Sequence, residues 1–285
     1  MTENNKNFRV GVLGLGIMGI AFANNLNEDG YLTATWNRSA KPEFPKFKAS
    51  INDAIHDSEI VFILVTDDQA VSDVLGMIEA DLGKHHLIIQ CSTVMPVNNT
   101  EFQQRVEKRG AHFVEALIGG SKVAAINRKI IFYTGGKEID IQRAEPVLAK
   151  LSAKRVYVGE VGKASAVKLA MNLNIAMQIG ALCESFAYAE RAGISPDSFF
   201  QVLRNNTAWN NLSEIKEPKL RQRDFSPQFS VKNMLKDVRL ALATDKTDNG
   251  LSLLSAVESI YTNAEKAGFG DDDMIALYKL LNNKQ

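Results

Sequence analysis

The sequence predicts an α/β fold with a doubly wound parallel sheet, a long interdomain helix and an all-α C-terminal domain. Short apolar, strand-like runs alternate with helical segments over residues 8–158. Residues 161–191 then form a stretch of good helix formers that lacks proline. No strand pattern follows that stretch. We therefore expect two domains, 1–160 and 161–285.

The first domain is predicted to alternate strands with helices along the chain. The predicted strands cover 8–13, 31–36, 59–65, 86–90, 112–115, 130–134 and 154–158. The helices expected between them cover 21–26, 52–57, 69–82, 99–110 and 140–151, and 116–122 is expected to be a loop of small residues. In the second domain, helices are expected at 196–204, 229–244, 251–267 and 274–281.

A GxGxxG sequence directly follows the first predicted strand and opens a helix. Its glycines are Gly14, Gly16 and Gly19. In this context glycines permit a tight turn and the close approach of a pyrophosphate, and the helix N-terminus offers unpaired N–H groups. The pattern predicts a Rossmann domain that binds a dinucleotide through Gly14, Gly16, Ile17 and Met18.

The end of the second predicted strand favours NADP(H) over NAD(H). A carboxylate near this point would accept hydrogen bonds from the ribose hydroxyls of NAD(H), but the chain has Asn37, Arg38 and Ser39. An arginine can instead pair with a 2′-phosphate, and its neighbours add donors. Val65 ends the third strand and Thr66 follows it, at the edge where doubly wound sheets bind ligands, and we expect both to contact the cofactor.

A lysine and an asparagine share one face of the long predicted helix. Lys168 and Asn172 are four residues apart, and Ser165 precedes them by one turn. The same face continues through Ile175, Ile179 and Cys183. The face is therefore expected to be buried, and lysines set into such faces often act as general acids or bases. On this helix alone, the alternative is a lysine that reaches the surface or pairs with a carboxylate.

Composition excludes several other classes of protein. The 285 residues are 45% apolar and 23% charged, with a formal net charge of zero, so we expect neither a nucleic-acid nor a membrane partner. The N-terminal segment is polar, so we expect no secretory signal there, and no apolar run approaches the ~18 residues of a membrane span. Two cysteines form no disulfide framework, and four histidines form no metal motif. We expect a cytoplasmic protein without a metal.

With these residues assembled, the chain resembles the β-hydroxyacid dehydrogenase family (3-hydroxyisobutyrate dehydrogenase-like), whose members reduce or oxidise short carboxylic acids with nicotinamide cofactors. The resemblance covers nearly the whole chain. It rests on four separated motifs: the glycine loop, Ser92-Thr93-Val94, Lys168 with Asn172, and Phe229 followed by Lys236-Asp237.

Two segments look most like the NADPH-dependent glyoxylate and succinic semialdehyde reductases of that family. These are Gly119-Gly120-Ser121-Lys122 and Gly270-Asp271-Asp272-Asp273. The chain departs from the family in having Leu117 and Gly119 where a proline and a serine are usual. The missing serine hydroxyl removes one donor to the substrate carboxylate.

The resemblance implies a role for each site residue. Lys168 would be the general acid, positioned by Asn172, and Asp237 a structural partner. Substrate contacts are implied for Ser92, Gly120, Ser121 and Asn172, and cofactor contacts for Thr93 and Lys236. The cofactor would be NADP(H), the substrate a small carboxylate such as an aldehyde acid, and the assembly a homodimer or homotetramer.

Three alternatives stay open at this point. An imine reductase has the same architecture and a similar Trp-Asn-Arg segment, although such enzymes usually replace the lysine. A 3-hydroxyisobutyrate-type dehydrogenase would work in the oxidative direction. A binding module could keep the fold without turnover, as in chromatin-associated relatives that have lost the catalytic lysine, whereas this chain retains Lys168.

Overall fold

The computed structural model describes residues 8–247 and 250–282. The polar segment 1–7, on which the expectation of no secretory signal rests, lies outside the described residues. The chain divides into two compact units, Met1–Lys168 and Leu169–Gln285. The boundary placed after residue 160 stays a prediction.

The first unit is built on one seven-stranded sheet. Its strands are β1 (Val10–Leu13), β2 (Leu32–Trp36), β3 (Ile60–Ile63), β4 (Leu87–Gln90), β5 (His112–Gly119), β6 (Ile130–Gly136) and β7 (Ser152–Tyr157). Their spatial order is β2-β1-β3-β4-β5-β6-β7, and every neighbouring pair is parallel except β5 and β6. The chain leaves β1 toward opposite sides to form β2 and β3, so the sheet is doubly wound as predicted.

The central strands are buried on both faces, which explains their continuous apolar sequences. All four residues of β1, of β3 and of β4 are buried. One apolar cluster contains Phe22, Phe62 and Phe132, and another contains Phe102 and Phe113. On β5, Phe113 belongs to the second cluster and Val114, Ala116 and Ile118 to the first, because successive side chains of a strand point to opposite faces.

Six helices accompany this sheet in the described part of the first unit. They are α1 (Ile17–Glu28), α2 (Ile51–His56), α3 (Asp68–Ile78), α4 (Pro96–Lys108), α5 (Lys122–Ile126) and α6 (Glu138–Leu151). Side-chain oxygens of Ser50, Asp67 and Ser121 accept an N–H of the first turn of α2, α3 and α5, respectively. These N-caps fix where the three helices begin.

The prediction of a loop at 116–122 was wrong. β5 continues through Gly119, because residues 114–119 pair in register with β6, from Val114 opposite Gly136 to Gly119 opposite Ile131. Ser121 then caps the short helix α5, which was not predicted. Small residues at 116–122 suggested a turn, but strand pairing overrides that local preference.

The long predicted helix is α7 (Lys163–Arg191), and the division between the two units falls within it. By length and composition alone α7 could cross a membrane, contrary to the expectation that no segment would approach that limit. Core helices satisfy the same criterion, and α7 contributes Ile179, Cys183 and Phe186 to an apolar core, so this is weak evidence for a span.

Helices make up the second unit beyond α7. They are α8 (Pro196–Arg204), α9 (Asn211–Gln222), α10 (Val231–Thr244), α11 (Ser252–Ala264) and α12 (Leu277–Leu281). A π-helical segment, Glu265–Phe269, follows α11, and a 3₁₀ turn, Met274–Ala276, precedes α12. The helices predicted over 251–267 and 274–281 are thus each composed of two shorter elements.

Helix α9 was not predicted. Its buried residues are mostly polar or charged: Ser213, Lys216, Glu217, Lys219 and Leu220. A helix with such a buried side has no apolar stripe, which is the main sequence signal of a helix in a globular protein. Pro218 lies inside it and adds a second misleading signal.

Candidate functional site

The three glycines of the GxGxxG loop have different surroundings. Gly14 has φ +104°, and a Cβ placed on it would lie 2.1 Å from the carbonyl oxygen of Leu64. A Cβ on Gly19 would lie 1.9 Å from the carbonyl oxygen of Gly14. These two glycines are therefore required by the packing of the chain itself.

Gly16 differs, because a Cβ placed on it would meet nothing within 4 Å. Its φ of −80° suits any residue, and it is the exposed N-cap of α1 without a side-chain cap. Ile17 and Met18 follow in the first turn, whose N–H groups have no acceptor within the helix. The open space and the free N–H groups fit a pyrophosphate at this point, as predicted for a dinucleotide.

Residues after β2 hold the glycine loop. The Asn37 side chain accepts a hydrogen bond from the N–H of Leu15 at 2.9 Å and donates one to the carbonyl of Ser39 at 2.8 Å. Lys41 donates from its ammonium group to the carbonyl of Leu15 at 2.8 Å. Arg38 and Ser39 are exposed. Asn37 thus holds the loop rather than merely adding a donor.

The sequence analysis missed Lys41, which lies three residues after Arg38. Residues 37–41 contain two cations and no carboxylate. The structure brings one of these cations to the glycine loop and leaves the other on the surface. The available signal was a second basic residue just after the strand.

The ends of β3 and β4 are joined by Ser92. Its hydroxyl oxygen accepts the N–H of Val65 at 2.9 Å, and its side chain is buried. Because a hydroxyl group also carries one hydrogen, Ser92 can still donate to a ligand. Thr66, next to Val65, donates to Asp67, the N-cap of α3, and Thr93 follows Ser92 at the end of β4.

Glu115, on β5, is a fully buried carboxylate that no prediction identified. It accepts hydrogen bonds from the N–H of Ala164 at 2.7 Å, the amide of Asn99 at 2.7 Å and the hydroxyl of Ser165 at 3.0 Å. The Ala164 N–H belongs to the first turn of α7, which has no acceptor within the helix. Burial raises the pKa of Glu115, and these donors oppose the rise.

A chain of buried amides, which we call the Glu115 chain, extends from Glu115 through Asn99 and Gln90 to Ser92. The Asn99 oxygen accepts from the Gln90 amide at 2.8 Å. Gln90 also donates to the Ser92 carbonyl at 3.0 Å and accepts the Ser92 N–H. Because a carboxylate can only accept, Glu115 fixes the donor direction of Asn99, and through it that of Gln90.

On α7, Lys168 is half-buried and ends the first unit, whereas Asn172 is buried in the second. They lie one turn apart on one face of the helix. The Asn172 amide donates to Asp237, which also pairs with Lys236 at 2.8 Å. Asp237 therefore fixes the orientation of Asn172, in agreement with the structural role expected for it.

The loop after β5 holds the remaining predicted substrate residues. Gly120 has φ +143°, a conformation that other residues rarely adopt. The Ser121 hydroxyl accepts the N–H of Ala124 at 3.3 Å as the N-cap of α5. Within residues 8–247 and 250–282, no group of three His, Cys, Asp or Glu side chains could hold a metal ion.

Comparisons with known proteins agree with this architecture. Residues 9–159 match the family model described as the NAD binding domain of 6-phosphogluconate dehydrogenase. Residues 162–281 match the model described as NAD-binding of NADP-dependent 3-hydroxyisobutyrate dehydrogenase. The two models together span both units.

Individual relatives cover almost the whole chain. An uncharacterized oxidoreductase of Synechocystis is 30% identical over 95% of this chain and 97% of its own length. Glyoxylate/succinic semialdehyde reductase 2 of Arabidopsis thaliana, a chloroplastic protein, is 26% identical over 95% of this chain and 79% of its own.

A solved structure shows the same fold. The structure of 3-hydroxyisobutyrate dehydrogenase from Mycobacterium tuberculosis with L-serine is 26% identical, covers 96% of this chain and 99% of its own, and has a TM-score of 0.86. The predicted fold class and the resemblance are both confirmed. The chain is an NAD(P)-dependent oxidoreductase that belongs to the β-hydroxyacid dehydrogenase family.

Proposed function

We propose that the protein reduces a small aldehyde acid, of the glyoxylate or succinic semialdehyde type, to the corresponding hydroxy acid with NADPH. The Arabidopsis relative is named for this substrate class, which supports the proposal. The observation that carries the chemistry is Lys168, half-buried on α7 one turn from Asn172.

The preference for NADPH rests on the end of β2. Arg38 is exposed there and can turn toward a ligand, and Lys41 is already held at the carbonyl of Leu15 in the glycine loop. Two cations without a carboxylate favour a 2′-phosphate over a free ribose hydroxyl. Gly14, Gly16, Ile17 and Met18 would hold the pyrophosphate.

Lys168 would supply the proton. When bound, NADPH provides the hydride for the carbonyl carbon of the substrate. As the carbonyl electron pair moves onto oxygen, the Lys168 ammonium stabilises the growing negative charge and transfers a proton to that oxygen. Lys168 is left neutral and regains a proton from water. Such proton transfer contributes roughly 10²–10⁴-fold to the rate.

The substrate carboxylate needs hydrogen-bond donors. Ser92 is suited to this role because its oxygen already accepts the Val65 N–H, which leaves the hydroxyl hydrogen for a ligand. The backbone around Gly120 and Ser121 would add N–H donors. Asn172, oriented by Asp237, would add an amide from the helix face of Lys168.

Replacing Lys168 tests the chemistry. Lys168→Ala should lower kcat at least 100-fold, because the ammonium acts mainly in the transition state, with NADPH affinity nearly unchanged. Lys168→Arg keeps the charge but releases its proton poorly, so it should not restore activity. Steady-state assays would compare glyoxylate, succinic semialdehyde, a cyclic imine, and 3-hydroxyisobutyrate with NADP⁺. Full activity of the arginine variant would contradict the general acid.

Replacing Arg38 tests the cofactor preference. The unmutated protein should bind NADPH at least tenfold more tightly than NADH, since charge-assisted hydrogen bonds to a phosphate contribute ~1.5–3 kcal/mol. Arg38→Ala should remove most of that preference and leave NADH affinity nearly unchanged. Fluorescence titration with both cofactors measures the effect. Equal affinities in the unmutated protein would be inconsistent with an NADPH enzyme.

A further inference from the structure

A tyrosine occupies the space beside Gly119, where the family usually has serine. A Cβ placed on Gly119 would lie 2.7 Å from the hydroxyl oxygen of Tyr133 and 3.0 Å from its Cζ. Tyr133 is half-buried, and its hydroxyl group makes no hydrogen bond with the rest of the described chain. The position of the Tyr133 ring therefore requires glycine at 119, because its hydroxyl end leaves no room there for a side chain.

Tyr133 lies at the edge of the sheet that binds ligands. β6 is antiparallel to β5, so the first half of β6 lies beside the carboxyl end of β5. Residues 115, 117 and 119 of β5 share one face, and the ring of Tyr133 stands on that face at Gly119. On the same face, Glu115 accepts the N–H of Ala164, in the first turn of α7.

A second hydroxyl group lies at the same edge of the sheet. Ile63, Gln90 and Glu115 are aligned across β3, β4 and β5. Ser92 follows Gln90 by two residues, and its hydroxyl oxygen accepts the N–H of Val65 just after β3. Tyr133 is paired with Leu117, two residues after Glu115. Ser92 and Tyr133 therefore both lie toward the carboxyl ends of the central strands, where doubly wound sheets bind their ligands.

We propose that Tyr133 donates a hydrogen bond to the substrate carboxylate and replaces the serine hydroxyl that the family has at position 119. This inference rests on the proposed function, because it assumes a carboxylate substrate. A phenol donates well to a carboxylate, and a tyrosine reaches further than a serine from the same sheet face. Tyr133 therefore sets the distance of the carboxylate from Gly119, and so the length of acid that fits.

The test is calorimetric titration of the NADP⁺-loaded protein with glycolate and with 4-hydroxybutyrate, each compared with its methyl ester. Tyr133→Phe should weaken binding of at least one acid tenfold or more, and change ester binding and NADP⁺ binding less than twofold. Tyr188→Phe is the matched control, because it removes the hydroxyl group of a tyrosine that is 70% exposed. It should leave all affinities unchanged.

A rescue experiment separates a donor from a structural residue. Tyr133→Leu opens the space beside Gly119, so adding Gly119→Ser should restore much of the acid affinity that Tyr133→Leu loses. A merely structural tyrosine would not be rescued by a serine. The proposal is overturned if Tyr133→Phe binds both acids as the unmutated protein does, if the serine gives no recovery, or if the unmutated protein binds neither acid. Failure of the proposed function would appear separately, as absence of aldehyde-acid reduction in a protein that still binds these acids.

Discussion

Two fully buried carboxylates, Glu115 in the first unit and Asp273 in the second, are stabilised by different kinds of hydrogen-bond donor. Glu115 accepts three hydrogen bonds from neutral donors. Asp273 accepts from the Lys216 ammonium at 2.8 and 3.0 Å and from the N–H of Gln228 at 2.9 Å. One acid is thus held by dipoles and the other by a buried cation.

The difference indicates different roles. The pair of Lys216 and Asp273 joins α9 to the segment before the 3₁₀ turn, and both partners also hydrogen-bond to Gln228. Burial lowers the pKa of Lys216, and Asp273 opposes this shift. Glu115 instead sets the direction of the hydrogen bonds in the Glu115 chain, which ends at Ser92, a predicted substrate residue. A charge pair fixes two elements, whereas a carboxylate among amides sets the direction of hydrogen bonds at a distance.

The largest expected effect is on the charge pair. Asp273→Ala leaves the Lys216 ammonium buried without its partner, which should lower the free energy of unfolding by about 3–5 kcal/mol. Chemical denaturation measures the loss. Asp271→Ala is the control, because this exposed carboxylate pairs with Lys232 at the surface, where such pairs contribute ~0–1 kcal/mol.

A double variant sharpens that result. Lys216→Met with Asp273→Leu removes both charges and should recover most of the stability that Asp273→Ala loses, since apolar residues of similar volume often replace buried pairs at little cost. If the double variant were as unstable as Asp273→Ala, lost backbone contacts, and not the stranded cation, would explain the destabilisation.

A smaller effect is expected for Glu115→Gln. The amide keeps the size of the side chain but has one oxygen, so one buried donor of Ala164 or Asn99 should lose its acceptor, at a cost of about 1–3 kcal/mol. Reversal of Asn99 would carry the change to Gln90 and Ser92. Denaturation measures the stability, and KM for the acid substrate measures the effect at Ser92. Asp53→Asn, at an exposed position on α2, serves as a control.

The smallest effect is a dependence on pH. Burial raises the folded-state pKa of Glu115 above its ordinary value of 4.5, so the folded state holds its proton to higher pH than the unfolded state does. Stability contributed by this group therefore falls as pH rises from 4.5 through the raised pKa, by at most about 1.4 kcal/mol per pH unit. Denaturation across this range should show the fall in the unmutated protein relative to Glu115→Gln. A difference that grows with pH would contradict this sign.

Local signals made much of the fold predictable. The glycine loop, the continuous apolar strands and the proline-free α7 were each predicted from a local sequence pattern. α8 was predicted at its exact bounds because Ser195, Pro196 and an apolar periodicity mark it. Helix α9 was missed because its buried side is mostly polar or charged, and the partner of Lys216, Asp273, lies 57 residues away in the chain.

The candidate site was less predictable where distant residues meet. Glu115 and Ala164 are 49 residues apart, and nothing in either local sequence indicates their contact. Likewise, Gly119 was identified as a departure from the family, but only the antiparallel pairing of β5 and β6 reveals Tyr133 beside it. Sequence patterns identify which residues are unusual, and tertiary contacts show what compensates for them.

The GxGxxG loop contains glycine for two different reasons, which the sequence alone does not distinguish. Gly14 and Gly19 are fixed by backbone atoms of the protein, whereas nothing in the protein itself requires glycine at Gly16. Replacing either outer glycine should therefore disturb folding, whereas replacing the middle one should disturb dinucleotide binding and leave the fold intact. A descendant that kept this fold but abandoned its dinucleotide would retain the first and third glycines and drift at the second.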